Sequence, residues 1–580
     1  MSQTQFVPAI SYDELKEKGC RVVQLKGHTV ALYATADSVY AVDNRCPHMG
    51  FPLDKGSVKD GILVCHWHHA RFDLETGGTF DQFADDVRAF PVVVKDNEVW
   101  VDLARYRDPV VHQKDRLQVG LERDIPLVVG KAVLVLMEAD QSAIEPFRAG
   151  LQFGSTYRQN GWGQGLTMHT CFMNMLPHLN AEDRPRALFQ GLNAVSRDSF
   201  NHPPRFGIRP LPGNPTDIPT LKRWLRQFLA VRDSEGSERC IVSAIRTGAT
   251  QQELADMLFS AVTDYRYIDI GHPADFTNKA FEALDIAGWE LAEPVLTSLV
   301  SGYARAARME ESNAWRSPID LIDILSTVFG RFGELDKTAV LGSTSGQVID
   351  ELVTTLLEDD PQATVDALFT LLKEGRTAHD LAQTVSYAAA LRIARFHISN
   401  EFGDWDTALH TFTFANAIQM GLKRAPSLDL LRGVFDAAMS VYLDRFLNIP
   451  AARLPTIALP LNGRSAKEAL NEFPQLLNQQ QRVNQAAQLV ADSLGSEGDI
   501  SALIAMLGKL LLREDRDFHT IQSVEAAINQ VQLLGDGEYG RNTLIAAARY
   551  LAAHSPTVRA QGQTYQIAKR LHRGDALFAD

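Results

Sequence analysis

The sequence predicts a multidomain protein in which a small N-terminal all-β domain is followed by a large all-α region. Residues 1–103 contain short apolar or alternating runs separated by Gly, Asp and Asn, which is the pattern of β-strands and turns. From about Leu117 onwards, apolar residues recur at three- and four-residue spacing, as in amphipathic helices. Motifs also recur in the same order along the helical region, so we expect two tandem pseudo-symmetric copies there.

These changes of pattern set the expected domain boundaries in the chain of 580 residues. We expect the β domain in residues 1–104 and a charged linker in residues 105–118. The first helical copy is expected in residues 119–345, and the second copy in residues 346–580. A chain of this length is long enough to bury several domain cores.

Composition and charge exclude several classes of partner. The 57 basic and 71 acidic residues give a net charge of −14, which argues against nucleic acid or an anionic membrane surface as a partner. The first residues lack the basic head and apolar core of a signal peptide, and the longest apolar run, residues 125–137, is too short to span a bilayer. The five cysteines form no visible disulfide framework, so we expect a cytoplasmic protein.

Two loops in the β domain carry candidate metal ligands. The domain's predicted strands are VVQLKG, TVALYATA, SVYAVD, GILVCHW, RAFPVVVKD and EVWVDL. Beside them lie Cys46-Pro47-His48 and, after a gap of sixteen residues, Cys65-His66-Trp67-His68. Each loop offers one thiolate and one imidazole in the same order. This pattern suits a two-iron, two-sulfide cluster in which one iron takes both cysteines and the other takes both histidines.

A structural zinc site is the alternative interpretation of these four residues. Two cysteines and two histidines also complete a closed tetrahedral zinc shell. Zinc sites usually pair like ligands within one loop, as C-x2-C and H-x3-5-H. Because each loop here mixes the two ligand types, the spacing favours the iron–sulfur cluster.

The motif resembles that of the Rieske iron–sulfur proteins over roughly residues 5–103. The shared pattern is C-x-H, a gap of sixteen residues and C-x-x-H, followed by an aromatic residue and a D-x-x-T-G turn. The resemblance implies a [2Fe-2S] cluster with Cys46 and Cys65 on the inner iron. It also implies that His48 and His68 hold the outer, solvent-facing iron.

Two residues depart from the Rieske pattern, and one feature of it is missing. His66 stands where proline is common, and His69 stands where glycine is common. The chain lacks the extra cysteine pair that ties the two loops together in membrane-complex Rieske proteins. The resemblance is therefore to the soluble branch found in ferredoxins and oxygenases.

The helical region contains an internal repeat centred on four histidines. HTCFMN at His169 is similar to HTFTFAN at His410, and His272 and His519 are separated by the same interval as two other matched pairs. The segment following His272 also shares the pattern H-x3-F-x-N with the segment following His410. The four histidines are therefore candidate equivalents of one position in a repeated unit.

These histidines suggest a second metal site, of non-haem iron. Helical bundles build such sites from inward-facing histidine and carboxylate side chains. The segment 397–410 is dense in ligands, and His397, Glu401, Asp406 and His410 match a two-histidine, one-carboxylate iron shell. His169, His272 and His519 are further candidates through the repeat. The competing interpretation is that the histidines are hydrogen-bonded core residues and that the acidic segment is a helix cap.

The leading hypothesis for function is a redox protein that passes single electrons from the β domain to the helical region. A second iron there would make the protein an oxidase or monooxygenase acting on a small-molecule substrate. An external reductase is the expected electron donor, because no G-x-G-x-x-G follows a strand. The catalytic domain of ring-hydroxylating oxygenases is excluded, because their N-x2-H-x3-4-H motif is missing.

Two other hypotheses remain open at this stage. In the first, the protein is a redox sensor or electron relay whose helical repeats are a protein-interaction scaffold, since stacked repeats commonly form binding surfaces. In the second, the cluster is structural and transfers no electrons. Iron content separates the first of these from the enzyme hypothesis, because only the enzyme needs iron beyond the cluster.

Overall fold

The structure is a computed structural model that describes residues 6–104, 108–140, 142–213, 216–342, 345–455, 465–495, 498–575 and 577. The N-terminal region is β-rich, as predicted. Its strands are β1 (Phe6–Ser11), β2 (Cys20–Leu25), β3 (His28–Ala34), β4 (Val39–Asp43), β5 (Ser57–Lys59), β6 (Ile62–Val64), β7 (Arg71–Asp73), β8 (Ala89–Phe90), β9 (Val92–Lys95) and β10 (Glu98–Asp102).

The strands form three small antiparallel sheets. Their strand orders are β1-β10-β9, β2-β3-β4-β8 and β5-β6-β7. Successive residues of β3 point to opposite faces, so Val30 and Leu32 enter one core while Ala31 and Tyr33 enter another. The second core also contains Phe72. The sheet β2-β3-β4-β8 therefore separates two buried layers.

Helices make up most of the remaining chain, which confirms the predicted order of a β-rich region followed by a helical one. The α-helices are α1 (Tyr12–Lys18), α2 (Pro109–Arg123), α3 (Pro126–Asp140), α4 (Ile144–Thr156), α5 (Gln164–Met175), α6 (Arg184–Ser199), α7 (Ile218–Ala230), α8 (Ser234–Arg246), α9 (Gln251–Thr263), α10 (His272–Ala287), α11 (Ala292–Ser298), α12 (Val300–Arg305), α13 (Leu321–Gly330), α14 (Lys337–Leu341), α15 (Asp350–Leu357), α16 (Pro361–Lys373), α17 (Ala378–Ala394), α18 (Phe402–Arg424), α19 (Leu428–Leu443), α20 (Ala466–Leu476), α21 (Val483–Ser493), α22 (Ile500–Arg513), α23 (Phe518–Leu534), α24 (Glu538–Ala553) and α25 (Ala560–His572). Short 3-10 segments lie at Leu53–Lys55, Leu176–His178, Ile268–Gly271, Trp289–Leu291, Met309–Glu311, Asn313–Trp315, Phe332–Glu334 and Asp444–Asn448.

The first of two compact units is larger than the predicted β domain. It comprises Met1–Pro146 and Gln561–Asp580, so α2, α3 and nearly all of α25 belong with the β-sheets. The predicted linker 105–118 lies largely within α2, apart from residues 105–107, which are outside the described residues. Helix α2 begins at Pro109 because Asp108 caps its N-terminus. The Asp108 side chain accepts a hydrogen bond from the backbone N–H of Val110.

The second unit comprises Phe147–Ala560 and is helical. At its centre, α5, α10, α18 and α23 pack in a closed ring in which each helix contacts the next. These are the four helices that carry the recurring histidines. The division of the helical region into copies at residues 119–345 and 346–580 stays a prediction. Most of both copies lies in the second unit, which does not separate them, whereas residues 119–146 and 561–580 belong to the first unit.

None of the described helices combines the length and the hydropathy that crossing a bilayer requires.

Candidate functional sites

The two cysteine-containing loops have the same backbone conformation. In each loop, the cysteine N–H donates to the carbonyl of the residue five positions on, at 2.8 Å for Cys46 and 2.9 Å for Cys65. The cysteine carbonyl accepts from the residue four positions on, which is Gly50 in the first loop and His69 in the second. Both of these residues have left-handed φ angles, +82° for Gly50 and +60° for His69. A single turn type is therefore used twice.

This repeated turn places the two candidate thiol ligands next to each other and the two candidate imidazole ligands next to each other. The cysteines are 2% and 1% exposed and lie in the core, where their thiols hydrogen-bond to each other. The rings of His48 and His68 lie side by side, with centroids 4.9 Å apart and planes at 80°. His48 is half-buried, whereas His68 is exposed. Sulfur ligands are thus grouped inside and imidazoles towards the surface.

The surroundings of the two cysteines favour loss of a proton from one of the thiols. The hydrogen bond from Cys46 lowers the pKa of Cys65 to about 6, outweighing the opposite effect of burial, and the backbone N–H groups of Trp67 and His68 add to it. The same bond, together with burial, raises the pKa of Cys46. The pair therefore loses its first proton readily, and the thiolate is the form that binds metal.

His48 is also prepared to act as a ligand. Burial, together with smaller contributions from nearby His68 and Lys131, lowers the pKa of His48 to about 4, so its imidazole is neutral at pH 7. Its Nδ1 atom is buried and has no hydrogen-bond partner among the described residues. Such an atom costs free energy unless it binds something. The four residues therefore fit a [2Fe-2S] cluster held by two thiolates and two imidazoles.

A buried ion network lies behind the first loop. Lys131 of α3 donates to the carbonyl of Pro47, between the two ligands of that loop, and lies 3.2 Å from Asp85. Arg116 of α2 donates to the other oxygen of Asp85 at 2.6 Å. Burial alone would raise the pKa of Asp85, but the two cations outweigh it and lower that pKa. The network was not predicted from the sequence, although Lys131 is the sole charge in the apolar run 125–137.

The helical unit contains a second cluster of ligand side chains. Among the described residues, His272, His410 and His519 each offer one ring nitrogen, and these three atoms lie within 4.8 Å of one another. The Nε2 atoms of His410 and His519 are 3.0 Å apart. The ring of His410 is perpendicular to both of the others, with centroids 4.7 and 4.8 Å away. We call this cluster the three-histidine group.

The three-histidine group depends on a strained backbone segment before α10. Asp269 and Ile270 have left-handed φ angles of +44° and +50°, and Gly271 follows at +95°. A β-branched residue such as Ile270 is an outlier in that region. A Cβ atom at Gly271 would lie 2.7 Å from the Cβ of Phe414, one turn beyond His410 on α18. The segment therefore lets His272 approach His410 closely, and such strain is characteristic of functional sites.

Burial keeps two of the three imidazoles neutral. Desolvation lowers the pKa of His272 to about 4, with a further contribution from His519. Desolvation also lowers the pKa of His410 to about 3, with contributions from His272 and His519. Neutral imidazoles have free nitrogen lone pairs, so the group is suited to bind a transition-metal ion.

The other predicted ligands of the second site lie elsewhere. His397 bonds through Nδ1 to Ser399 (2.9 Å), and Glu401 caps the N-terminus of α18. His169 is buried with its Nε2 atom 3.0 Å from the carbonyl of Phe147. The structure thus brings together three of the four repeat-related histidines, but it does not bring His397, Glu401 or His169 to them.

Asp406 is the one predicted carboxylate that lies beside the three-histidine group. Its Oδ2 atom is 3.8 Å from Nδ1 of His519, and its Oδ1 atom accepts a hydrogen bond of 2.5 Å from Tyr550. Tyr550 was not predicted from the sequence. No local spacing signal links Tyr550 to Asp406, because Tyr550 lies on α24 and Asp406 lies on α18.

Comparison with known proteins covers the N-terminal part of the chain. The model of the Rieske [2Fe-2S] domain matches residues 5–91. The ferredoxin component of the p-cumate 2,3-dioxygenase system of Pseudomonas putida is 30% identical over 106 residues, which are 18% of this chain and 90% of that protein. The 3-phenylpropionate/cinnamic acid dioxygenase ferredoxin subunit of Photorhabdus laumondii is 33% identical over 94 residues, which are 16% of this chain and 89% of that subunit.

A solved structure is similar over the same region. The ferredoxin of carbazole 1,9a-dioxygenase from Nocardioides aromaticivorans is 32% identical and aligns with a TM-score of 0.16, covering 17% of this chain and 96% of that one. The family model and the two curated relatives confirm the predicted resemblance, and the N-terminal domain is similar to the ferredoxin components of dioxygenase systems. Through residues 5–91, the chain belongs to the Rieske [2Fe-2S] family.

Proposed function

We propose that this protein passes single electrons from its Rieske domain to a second, iron-containing active site in its helical unit. The three-histidine group carries this proposal, because its ring nitrogens lie within 4.8 Å of one another. Three imidazoles occupy only part of an iron coordination shell and leave positions open for oxygen or substrate. The activity is then that of an oxidase or monooxygenase acting on a small molecule.

The N-terminal ligands support the first half of this function. When it is bound by Cys46, Cys65, His48 and His68, a [2Fe-2S] cluster supplies one-electron transfer. The exposed His68 is the proposed exit for the electron, because the two thiols are buried in the core. The relatives are ferredoxin components of dioxygenase systems, so an external reductase is the proposed electron donor.

The electron supply also favours iron over zinc in the helical unit. Zinc has no redox chemistry, so a protein that delivers single electrons would have no use for a zinc centre as acceptor. Iron bound to histidine nitrogens changes its oxidation state by one electron, which matches the delivery from a Rieske domain. We propose that these events occur in the cytoplasm, where the remaining cysteines stay reduced.

A duplicated helical unit accounts for the arrangement of the histidines. The four helices that carry His169, His272, His410 and His519 contact one another in a ring at the centre of the helical unit. If each derives from one ancestral helix, the histidine was inherited four times. Three of the four histidines are now in one group, and His169 has become a core residue bonded to Phe147.

Iron and acid-labile sulfide measured on anaerobically purified protein test the proposal. A [2Fe-2S] cluster contributes equal amounts of iron and sulfide, so we expect one iron per chain in excess of sulfide. His410→Ala is expected to abolish this excess and to leave the cluster intact. His397→Ala is the matched control, because it removes a histidine from the same region that does not belong to the group.

One outcome of the iron and sulfide measurement would contradict the proposal. If iron equals sulfide in the wild type and His410→Ala changes neither, the helical unit holds no iron. The protein is then better described as a redox sensor or electron relay whose helical repeats bind another protein.

A further inference from the structure

We infer that Asp406 is a positioning residue of the three-histidine group, and that it holds His519 with its Nε2 atom turned towards the metal ion. This inference rests on the proposed function, because it assumes that the group binds metal. The ion concerned is a divalent first-row ion such as Fe²⁺, for which imidazole nitrogens are suitable ligands.

The two nitrogens of His519 face different surroundings. Nε2 is 3.0 Å from Nε2 of His410, inside the three-histidine group. Nδ1 points the other way and is 3.8 Å from Oδ2 of Asp406. Because Asp406 lies on the far side of the imidazole, it is placed to act on His519 rather than to bind the ion itself.

A carboxylate in this position has a known physical effect. A histidine that binds metal through one nitrogen usually donates its other N–H to a carboxylate or carbonyl, which fixes the tautomer and makes the ligand more basic. The separation of 3.8 Å is an electrostatic contact rather than a hydrogen bond. A metal ion on Nε2 polarises the ring and strengthens Nδ1–H as a donor, so binding is expected to tighten this contact.

Asp406 is itself held in place from its other side. Tyr550 of α24 donates a hydrogen bond of 2.5 Å to Oδ1, which leaves Oδ2 directed at His519. Tyr550 is fully buried, so the phenol cannot swing away easily. Asp406 also lies one helical turn before His410 on α18, so the two side chains share a face.

The acidic residues at the start of α18 have separate roles. The carboxylate of Asp404 accepts a hydrogen bond of 2.9 Å from the backbone N–H of Glu401, and both residues belong to the N-terminal cap of the helix. Asp406 takes no part in that cap. Its Oδ2 atom faces His519, while its Oδ1 atom accepts from Tyr550 and lies 3.9 Å from Nε2 of His554. Asp404 therefore provides a matched control, since it has the same charge and lies two residues away on the same helix.

Equilibrium dialysis of the full-length protein against Fe²⁺ under anaerobic conditions tests the inference. Loss of such a carboxylate typically lowers metal affinity by about 10- to 100-fold, and we expect that loss for Asp406→Asn. Tyr550→Phe should weaken binding less, because it only frees Asp406 to move. Asp404→Asn should bind Fe²⁺ as the wild type does.

A spectroscopic readout separates positioning from a general loss of structure. The EPR signal of the nitric oxide adduct of the bound Fe²⁺ should change its rhombicity in Asp406→Asn and stay unchanged in Asp404→Asn. Wild-type affinity and an unchanged signal in Asp406→Asn would overturn the inference while leaving the proposed function standing. If the wild type binds no Fe²⁺ beyond the cluster, the proposed function fails and the inference fails with it.

Discussion

The Rieske loops and the three-histidine group bring candidate metal ligands together in opposite ways. Each loop carries its cysteine and histidine within four residues, and two copies of one backbone turn bring all four side chains together. His272, His410 and His519 come instead from three helices that are far apart in the sequence. The first site therefore depends on local turns, and the second depends on how the central helices pack. Different substitutions should therefore abolish metal binding at the two sites.

The largest expected effect is the loss of one site without the other. Cys65→Ser removes a buried thiolate that a serine hydroxyl does not replace as an iron ligand. We expect acid-labile sulfide and the visible absorbance of the cluster to vanish, while the iron bound by the helical unit remains. Simultaneous loss of both kinds of iron would show that the sites are not independent.

The next largest effect is expected at Gly271, beside the three-histidine group. The left-handed conformation costs an alanine at this position about 1–2 kcal/mol. The alanine also meets Phe414, and overpacking of this kind costs about a further 1–3 kcal/mol. We therefore expect Gly271→Ala to lower the free energy of unfolding and to remove the excess iron, as measured by denaturant titration and metal analysis.

Gly375→Ala is the matched control for that variant. Gly375 has the same φ of +95°, but a Cβ atom there has nothing within 4 Å. Gly375→Ala should lower the free energy of unfolding only by the cost of the left-handed backbone, and it should keep the excess iron. Equal losses of stability and iron in the two variants would contradict the importance of the close approach to Phe414.

An intermediate effect is expected at Lys131, behind the first Rieske loop. Its ammonium group donates to the carbonyl of Pro47, and a nearby positive charge favours the reduced, more negative cluster. Lys131→Met should therefore lower the reduction potential of the cluster in an EPR-monitored redox titration. Lys95→Met removes an exposed charge from the same domain and should leave the potential unchanged; a potential that is the same in both variants would exclude this role of Lys131.

The smallest effect is expected at His69. This residue has a left-handed φ of +60° at the position that Gly50 occupies in the first loop. Glycine adopts this conformation without the penalty that other residues pay, which is about 1–2 kcal/mol. His69→Gly should raise the melting temperature slightly and leave the cluster spectrum intact. A lower melting temperature would indicate that the His69 side chain makes stabilising contacts.

The sequence indicated which residues meet at the local site more completely than at the assembled one. Cys46, His48, Cys65 and His68 were chosen from their spacing alone, and they lie together in the fold; that they bind a cluster stays a prediction. For the helical unit, the repeat indicated His272, His410 and His519, but proximity in sequence also favoured His397 and Glu401. Spacing along one segment cannot show which side chains converge when the partners lie on other helices.

The boundary of the first unit was hard to predict for a related reason. Amphipathic patterns indicate that α2 and α25 are helices, and α3 contains an apolar run, but these patterns do not indicate which surface each helix covers. The single charge of Lys131 in an apolar run was the available signal, since a buried lysine requires a partner. Its partners, Asp85 and the carbonyl of Pro47, become evident only in the folded unit.

Mössbauer spectroscopy of anaerobically purified protein enriched in the Mössbauer-active isotope of iron resolves each iron environment, and so shows whether the helical unit holds iron of its own. We predict the two components of a Rieske cluster, one ligated by cysteine and one by histidine, together with a separate mononuclear component that disappears in His410→Ala. A wild-type spectrum that contains only the two cluster components would contradict this prediction.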